Sequence, residues 1–202
     1  RRINRFPACF FPPGCMHGGL APPRQGVTGA QVRSIEVRVP AGTHKVICEP
    51  EANKLKPANS YDAQFSVQWL TAAALSKGRL GLAELEPDHI GDPEIAALTQ
   101  KVRFADYPDS PFPKAYSGEV IVTLNDGRTL SHREHVNRGA AERPLANREI
   151  VEKFRANGAT AFSAATVERM ERAMLSLETA DDAAAALAAF SPSARESLGS
   201  GA

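Results

Sequence analysis

The feature that most constrains the fold is a stretch over residues 62–77 that forms a helix apolar around almost its whole circumference. Ser60 or Asp62 can cap its start, and Gly78 follows its end, where a left-handed residue often closes a helix. A helix that is apolar on nearly all sides is usually buried. We therefore predict one continuous helix over 62–77 in the core, with Phe65 buried and other elements packed around it.

Two further segments carry strand patterns. Residues 32–39 (VRSIEVRV) alternate between polar and apolar side chains, which is typical of a half-buried strand, and strict alternation places Val32 on the polar face. Residues 119–124 and 128–136 flank the sequence Asn125-Asp126-Gly127. Asp-Gly between two such runs indicates a β-hairpin whose two turn residues both have positive φ.

Helices account for most of the remaining pattern. Asp92-Pro93-Glu94 predicts a helix start, with a cap, a proline at the first position and an acid in the first turn, and this helix should end near Lys101. The other predicted elements are a short strand at 102–104, a loop at 106–118, amphipathic helices at 147–156 and 164–179, and a short last helix at 183–189. Helices and antiparallel strands thus occur in blocks and do not alternate. We predict the α+β class, with a small antiparallel sheet that includes a β-hairpin packed against several helices.

The first 30 residues differ from the rest of the chain, because they hold 5 Pro, 5 Gly and four Arg but no Asp or Glu. Pro12-Pro13 and Pro22-Pro23 are expected to interrupt any helix, so this segment is predicted to be partly irregular. The chain begins at Arg1-Arg2 without a methionine, and we expect it to be a piece of a longer protein or a processed product. The predicted division is an N-terminal segment, an α+β domain and a pair of C-terminal helices, at 1–30, 31–160 and 161–202.

Composition narrows the classes of partner. The formal net charge of +1 gives no reason to expect binding to nucleic acid or to an acidic membrane surface. No apolar run approaches the roughly 20 residues needed to span a bilayer, so no membrane partner is expected. The three cysteines Cys9, Cys15 and Cys48 form an odd, sparse set. This argues against a disulfide framework and favours a reducing, cytoplasmic location.

The common signatures of metal and nucleophilic chemistry are absent from the sequence. Cys9, Cys15 and His17 do not have the spacing of a common zinc site, so no metal site is expected. His132 and His135 would point to opposite faces of one strand and could not share a ligand. Neither a GxSxG motif nor a GxxxxGK phosphate loop occurs, and we expect no cofactor.

An ordered set of segments nevertheless resembles a known family. YDAQFSVQWLTAAALSKG (61–78), NDGR (125–128) and EIVEKF (149–154) follow one another with Gly139 and Pro144 between the last two. In this order and at these intervals they are similar to the C-terminal domain of the MmgE/PrpD family. RFPACFF, near the N-terminus, looks like the aromatic-Pro-x-Cys motif of that family. The resemblance covers about residues 30–157 well.

The resemblance implies a function that the residues alone do not. The family contains 2-methylcitrate dehydratases and cis-aconitate decarboxylases, so the implied activity is that of a cofactor-independent lyase acting on a small polycarboxylate. The principal aspartate and histidines of the family come from a helical domain across the cleft. That domain, in the same or a neighbouring chain, is the expected partner, together with a homodimeric assembly. The alternative, from another functional class, is a non-catalytic partner or dimerisation module.

Four candidate site residues follow from the resemblance. The basic residue that precedes the aromatic-Pro motif in the family falls at Asn4, and the adjacent Arg5 could substitute for it in binding substrate. The family tyrosine on the buried helix falls at Trp69, whose indole donates a hydrogen bond but cannot act as a phenolic acid. Ser66 matches the family segment and joins Trp69 as a candidate catalytic residue. A hydroxyl bonded to the preceding turn is the structural alternative for Ser66.

Two lysines upstream of the buried helix complete the candidate set. Lys54 and Lys56 match cationic positions of the family, and lysines there could pair with substrate carboxylates. The alternative interpretation, solvated loop charges, is left open at this point.

Overall fold

The structure, a computed structural model, describes residues 3–9 and 13–190. The chain divides into two compact units, Arg1–Leu145 and Ala146–Ala202. The described residues form helices and a four-stranded sheet with the strand order β2-β1-β3-β4, which confirms the α+β class. The strands are β1 (Val32–Val39), β2 (Val102–Asp106), β3 (Gly118–Leu124) and β4 (Thr129–Glu134).

The helices of the first unit connect and cover these strands. They are α1 (Pro13–Arg24), α2 (His44–Ile47), α3 (Glu51–Leu55), α4 (Ser60–Gln64), α5 (Val67–Lys77), α6 (Pro87–Ile90) and α7 (Pro93–Thr99). The second unit contains α8 (Asn147–Gly158), α9 (Ala164–Leu175) and α10 (Ala183–Leu187). Short 3₁₀ turns occupy Gly29–Gln31, Ala41–Thr43, Ala83–Leu85, Leu177–Thr179 and Ala188–Phe190.

The sheet is mixed, whereas an antiparallel one was predicted. β3 pairs antiparallel with both β1 and β4, but β2 runs parallel to β1. The chain passes through α2–α7 between β1 and β2, and such a crossover lets a strand return in the same direction. The predicted bounds of β1 are confirmed. Val32 is nevertheless buried with the apolar face, because the pairing of β1 with β3 shifts register between Val32 and Ser34.

The N-terminal segment contains a helix, which the sequence analysis did not predict. Pro13 is the first residue of α1. A proline fits there because the N–H groups of the first helical turn have no partner within the helix. Pro22 and Pro23 lie in the last turn, so they mark the end of α1 without preventing it. The expectation that these prolines interrupt any helix was therefore wrong for residues 13–24. Residues 10–12 lie outside the described part.

Close packing explains why α1 forms despite its poor helix propensity. Its buried side chains are Cys15, Met16 and Leu20. At Gly18 a Cβ atom would come within 2.6 Å of Val120 on β3, and at Gly19 within 2.7 Å of the Thr71 carbonyl oxygen on α5. The two glycines therefore let α1 approach both elements more closely than any other residue would allow.

The buried apolar helix is present but shorter than predicted. Every residue from Val67 to Leu75 of α5 is buried, and Gly78 closes the helix with φ +65° as expected. The single helix over 62–77 was wrong, because the chain leaves the helical path at Phe65 and Ser66, between α4 and α5. Phe65 is half-buried and lies outside the core cluster.

The predicted hairpin is confirmed, but its turn differs from the prediction. Gly127 has φ +89°, whereas Asp126 does not have positive φ. The Gly127 N–H donates to the Leu124 carbonyl at 3.1 Å, and the Leu124 N–H donates to the Arg128 carbonyl at 2.8 Å. This pattern is that of a longer hairpin loop in which one glycine takes the left-handed conformation.

The helix at 92–101 and the last helices follow their local signals. Asp92 accepts hydrogen bonds from the N–H groups of Glu94 and Ile95 and so caps α7. In the second unit, α8 extends to Gly158, and α9 ends at Leu175, ahead of its predicted end at 179. Within the described ranges no helix is long and apolar enough to cross a membrane.

Substitution of Gly19 tests the close packing of α1. Gly19→Ala should lower the free energy of unfolding by about 1–3 kcal/mol, because the new methyl group meets a backbone oxygen that cannot move aside cheaply. Gly91→Ala is the matched control, since a Cβ atom there meets no atom within 4 Å. Urea unfolding of both variants measures the difference. Equal stability of the two would contradict the packing argument.

Candidate functional site

Three of the predicted site residues meet where the chain breaks between α4 and α5. The Ser66 hydroxyl donates to the Lys54 carbonyl oxygen at 2.6 Å and accepts from the Trp69 backbone N–H at 2.9 Å. Ser66 is thus the N-cap of α5, and it is completely buried. The hydroxyl therefore makes a structural contact to each neighbour, and its role in catalysis stays a prediction.

The Lys54 ammonium group holds the break together. Its Nζ donates to the carbonyl oxygens of Val46 at 2.7 Å and of Phe65 at 2.8 Å. Partial burial lowers the pKa of Lys54, although the nearby Cys48, Asp62 and Cys9 oppose that shift. Two of its three N–H donors are thereby committed to the backbone. Lys54 acts here as a bridge between α3 and the turn before α5.

A pocket of about 250 Å³ opens beside Lys54. Its walls combine aliphatic, aromatic, amide and charged side chains, contributed by Val46, Pro50, Asn53, Lys54, Tyr61, Asp62 and Phe65. Tyr61 is largely exposed, and its ring centroid lies 5.1 Å from that of Phe65. The lining thus combines one ammonium group, of Lys54, with one carboxylate, of Asp62.

Trp69 and Lys56, two predicted residues near the break, differ in accessibility. Trp69 is only 1% exposed, and its indole nitrogen has no hydrogen-bond partner among the described residues. A buried N–H without an acceptor lowers the stability of the folded state. Lys56 follows the last residue of α3 and is exposed to solvent.

Residues 3–9, here called the arm, reach the same break. The Asn4 amide donates to the Ala8 carbonyl at 2.6 Å, and its oxygen accepts from the Phe6 N–H at 3.2 Å, so Asn4 folds the arm into a turn. The Cys9 N–H donates to the Gln64 carbonyl at 3.1 Å, immediately before the break. Cys9 therefore ties the C-terminal end of the arm to the break, while Asn4 and the half-buried Arg5 lie further along the arm.

A second polar cluster, centred on Glu134, was not predicted from the sequence. Glu134 lies at the end of β4 and is buried. Arg143 Nη1 lies 3.0 Å from its Oε1, while His17 Nδ1 and His132 Nε2 lie 3.4 and 3.5 Å from its carboxylate oxygens. At the two longer distances the imidazole nitrogens lie close to the carboxylate without hydrogen-bond geometry, so the Arg143 contact is the strongest.

The charges around Glu134 determine its ionisation. Burial alone would raise its pKa, but the contacts with His132 and His17 and the charges of His17 and Arg143 outweigh that effect and hold the pKa well below its usual value of 4.5. The unfolded chain therefore takes up this proton first as pH falls. Glu134 stabilises the folded state above about pH 4.5, and the contribution is lost as pH falls through the lowered folded-state value.

One local signal could have drawn attention to Glu134. On β4 it shares a face with Leu130 and His132, and Leu130 packs against the core. An acid in register with an apolar face needs a partner when buried. His135 follows the last residue of β4, and its Nδ1 lies 3.2 Å from the Tyr107 hydroxyl, so the two histidines have different partners.

Metal binding finds no support in the described part of the chain. Residues 3–9 and 13–190 hold no group of three His, Cys, Asp or Glu side chains placed to bind an ion. Cys9, Cys15 and Cys48 are all free thiols. Burial raises the pKa of the Cys48 thiol to about 12, so this side chain is protonated and unreactive near neutral pH.

Comparison of the sequence with known proteins identifies a family and several relatives. A family model described as the MmgE/PrpD C-terminal domain matches residues 6–179. The chain is 29% identical over 132 residues to cis-aconitate decarboxylase of Mus musculus, an alignment that covers 64% of this chain and 27% of the relative. It is 31% identical over 160 residues to 2-methylcitrate dehydratase of Cupriavidus necator, covering 73% of this chain and 31% of the relative. The chain thus matches less than a third of the length of either relative.

Replacement of Lys54 tests its structural role at the break. Lys54→Ala should lower the free energy of unfolding by about 1–3 kcal/mol, because two carbonyl oxygens lose a charged donor. Lys56→Ala, two residues away and exposed, should change stability by no more than about 0.5 kcal/mol. Denaturant unfolding followed by circular dichroism compares the two variants. A loss of the same size in both would mean that Lys54 does not hold the break.

Proposed function

This chain belongs to the MmgE/PrpD family, whose C-terminal domain it represents, and we propose that it serves a cofactor-independent lyase acting on a 2-methylcitrate-like or aconitate-like acid. The observation that carries the proposal is the family match over residues 6–179. The relatives named above, a decarboxylase and a dehydratase, are both lyases of small polycarboxylic acids.

The proposed contribution of this chain is substrate binding and closure of the cleft. Lyase chemistry next to a carboxylate needs cations that hold the carboxylate groups and a positioned base that removes the proton. The proposed cations are Arg5 on the arm, Lys54 in the last turn of α3 and Lys56 just after it. Each could contribute a charged contact to one substrate carboxylate.

The acid–base groups are proposed to come from elsewhere. The described residues that the Ser66 hydroxyl joins at the break are Lys54, through its backbone carbonyl, and Trp69, through its backbone N–H, and a histidine is not among them. A helical domain of the same or a neighbouring chain would supply the aspartate and histidines. Trp69, at the position of the family tyrosine, can donate a hydrogen bond but cannot deliver a phenolic proton.

A non-catalytic partner or dimerisation module is the second candidate. Two observations favour this candidate, and they concern Asn4 and Trp69. Asn4 stands where the family has a basic residue, and its side-chain amide forms the hydrogen bonds of the turn in the arm. Trp69 stands in place of tyrosine and is buried. A helical domain with the family Asp and His, encoded in the same or an adjacent reading frame, would favour the lyase, and its absence would favour the module.

The isolated 202-residue chain should show no dehydratase or decarboxylase turnover with 2-methylcitrate, citrate or cis-aconitate. The physical reason is that proton abstraction needs a positioned acid–base pair, and the His, Asp and Glu residues form no such pair on any one element predicted from the sequence. Addition of the helical domain should restore activity. Turnover by the isolated chain at about 1 per second or faster would show that the proposed division of labour is wrong. Calorimetry that detects no binding of these acids to the assembled protein would favour the partner module.

Lys56 provides a kinetic test in the assembled enzyme. Lys56→Ala should raise KM for a polycarboxylate more than it lowers kcat, because it removes a contact made equally in the ground state and the transition state. Lys114→Ala, another exposed lysine, is the control and should change neither constant. Steady-state kinetics with 2-methylcitrate and cis-aconitate measures both. An unchanged KM in Lys56→Ala would remove Lys56 from the substrate site.

A further inference from the structure

Glu134 lies where three parts of the first unit converge. Its carboxylate contacts His17 of α1 at 3.4 Å and Arg143 of the loop after β4 at 3.0 Å, and it is itself the last residue of β4. Arg143 Nη1 also donates to the Val136 carbonyl at 3.0 Å, so this guanidinium closes the 136–143 loop onto Glu134. One buried carboxylate therefore fixes a helix, a strand end and a loop.

The arm contacts His17 and the 136–143 loop that carries Arg143. The Phe6 ring is buried and meets the His17 ring edge-on, with 4.8 Å between the ring centroids. The Ile3 N–H donates to the Gly139 carbonyl of the loop at 3.0 Å. Gly139 has φ +94°, and a Cβ atom there would collide with the Ile3 carbonyl oxygen, so the arm and loop backbones are in direct contact.

Titratable and charged groups face Glu134 from every element packed against it. They are His17 and the Cys15 thiol on α1, His132 on β4 and Arg143 on the loop. Proximity to Glu134 contributes to a raised pKa of Cys15, which is dominated by burial, so this thiol stays neutral. The Glu134 carboxylate is therefore surrounded by one guanidinium, two imidazole rings and one neutral thiol.

We infer that Glu134 is a positioning residue, which holds the arm against α1 and the 136–143 loop and thereby sets the place of Arg5 for a substrate carboxylate. Its action passes through His17 to Phe6 on one side and through Arg143 to Gly139 and Ile3 on the other. The part of this inference that concerns substrate rests on the proposed function. The anchoring of the arm does not.

Hydrogen exchange on the full chain, with no substrate present, tests the anchor. Glu134→Gln should accelerate amide exchange in residues 3–9 by about tenfold while exchange in α7 stays unchanged. Glu119→Gln is the matched control, because Glu119 is an equally buried carboxylate paired with Arg38 and Arg133. It should leave exchange in residues 3–9 unchanged. Should Glu134→Gln fail to fold, Arg143→Gln decides by the same criteria, since its side chain is 45% exposed.

Each outcome decides one part of the inference. No acceleration in residues 3–9, an equal acceleration in α7, or the same effect from Glu119→Gln overturns the anchor. In the assembled enzyme, Glu134→Gln should raise KM for a polycarboxylate more than it lowers kcat. A loosened arm with an unchanged KM overturns the positioning of Arg5 for substrate. An assembled protein that converts no polycarboxylate refutes the proposed function, whereas the exchange result stands independently.

Discussion

The rest of the fold depends on the close packing of α1 against α5 and β3. Only glycine in α1 allows the backbones to come this close. At Gly18 and Gly19 any Cβ atom would overlap Val120 or the Thr71 carbonyl oxygen. This close approach covers one side of α5, while α7 packs against another. An apolar helix can then be buried on all sides, and α1 also covers β3 and β4 on one face of the sheet. The core therefore requires the N-terminal segment that sequence analysis assigned to a partly irregular region.

The same burial explains the location of the candidate site. A helix enclosed on all sides offers substrate only its ends, and the N-terminal end of α5 is where Ser66, Lys54 and the arm meet. The break before Ser66 directs the Phe65 carbonyl out of the helix and toward the Lys54 ammonium. A rigid helix end that carries a cation and receives a second segment is a suitable support for the wall of a cleft.

Elements with local signals were predictable, and those that depend on distant contacts were not. The bounds of β1, the Asp92 cap and the hairpin follow from alternation, capping and turn chemistry within a few residues. α1 was missed because tertiary packing overrides its glycines and prolines. The break at Ser66 was missed because Lys54, whose ammonium group donates to the Phe65 carbonyl and whose carbonyl accepts from Ser66, lies 12 residues before Ser66. Glu134 was missed because its partners come from three separate segments.

Glu134 is more readily explained by specificity than by stability. Burial of a carboxylate carries a large desolvation cost, which the Arg143 contact at 3.0 Å and the histidine contacts at 3.4 and 3.5 Å must offset. An apolar residue at the end of β4 would pack against α1 without that cost. A carboxylate, however, accepts contacts only from donors in defined directions, so it selects one arrangement of His17 and Arg143. The cluster thus trades stability for a defined position of the arm, as expected where a backbone segment must present a cation at a fixed place.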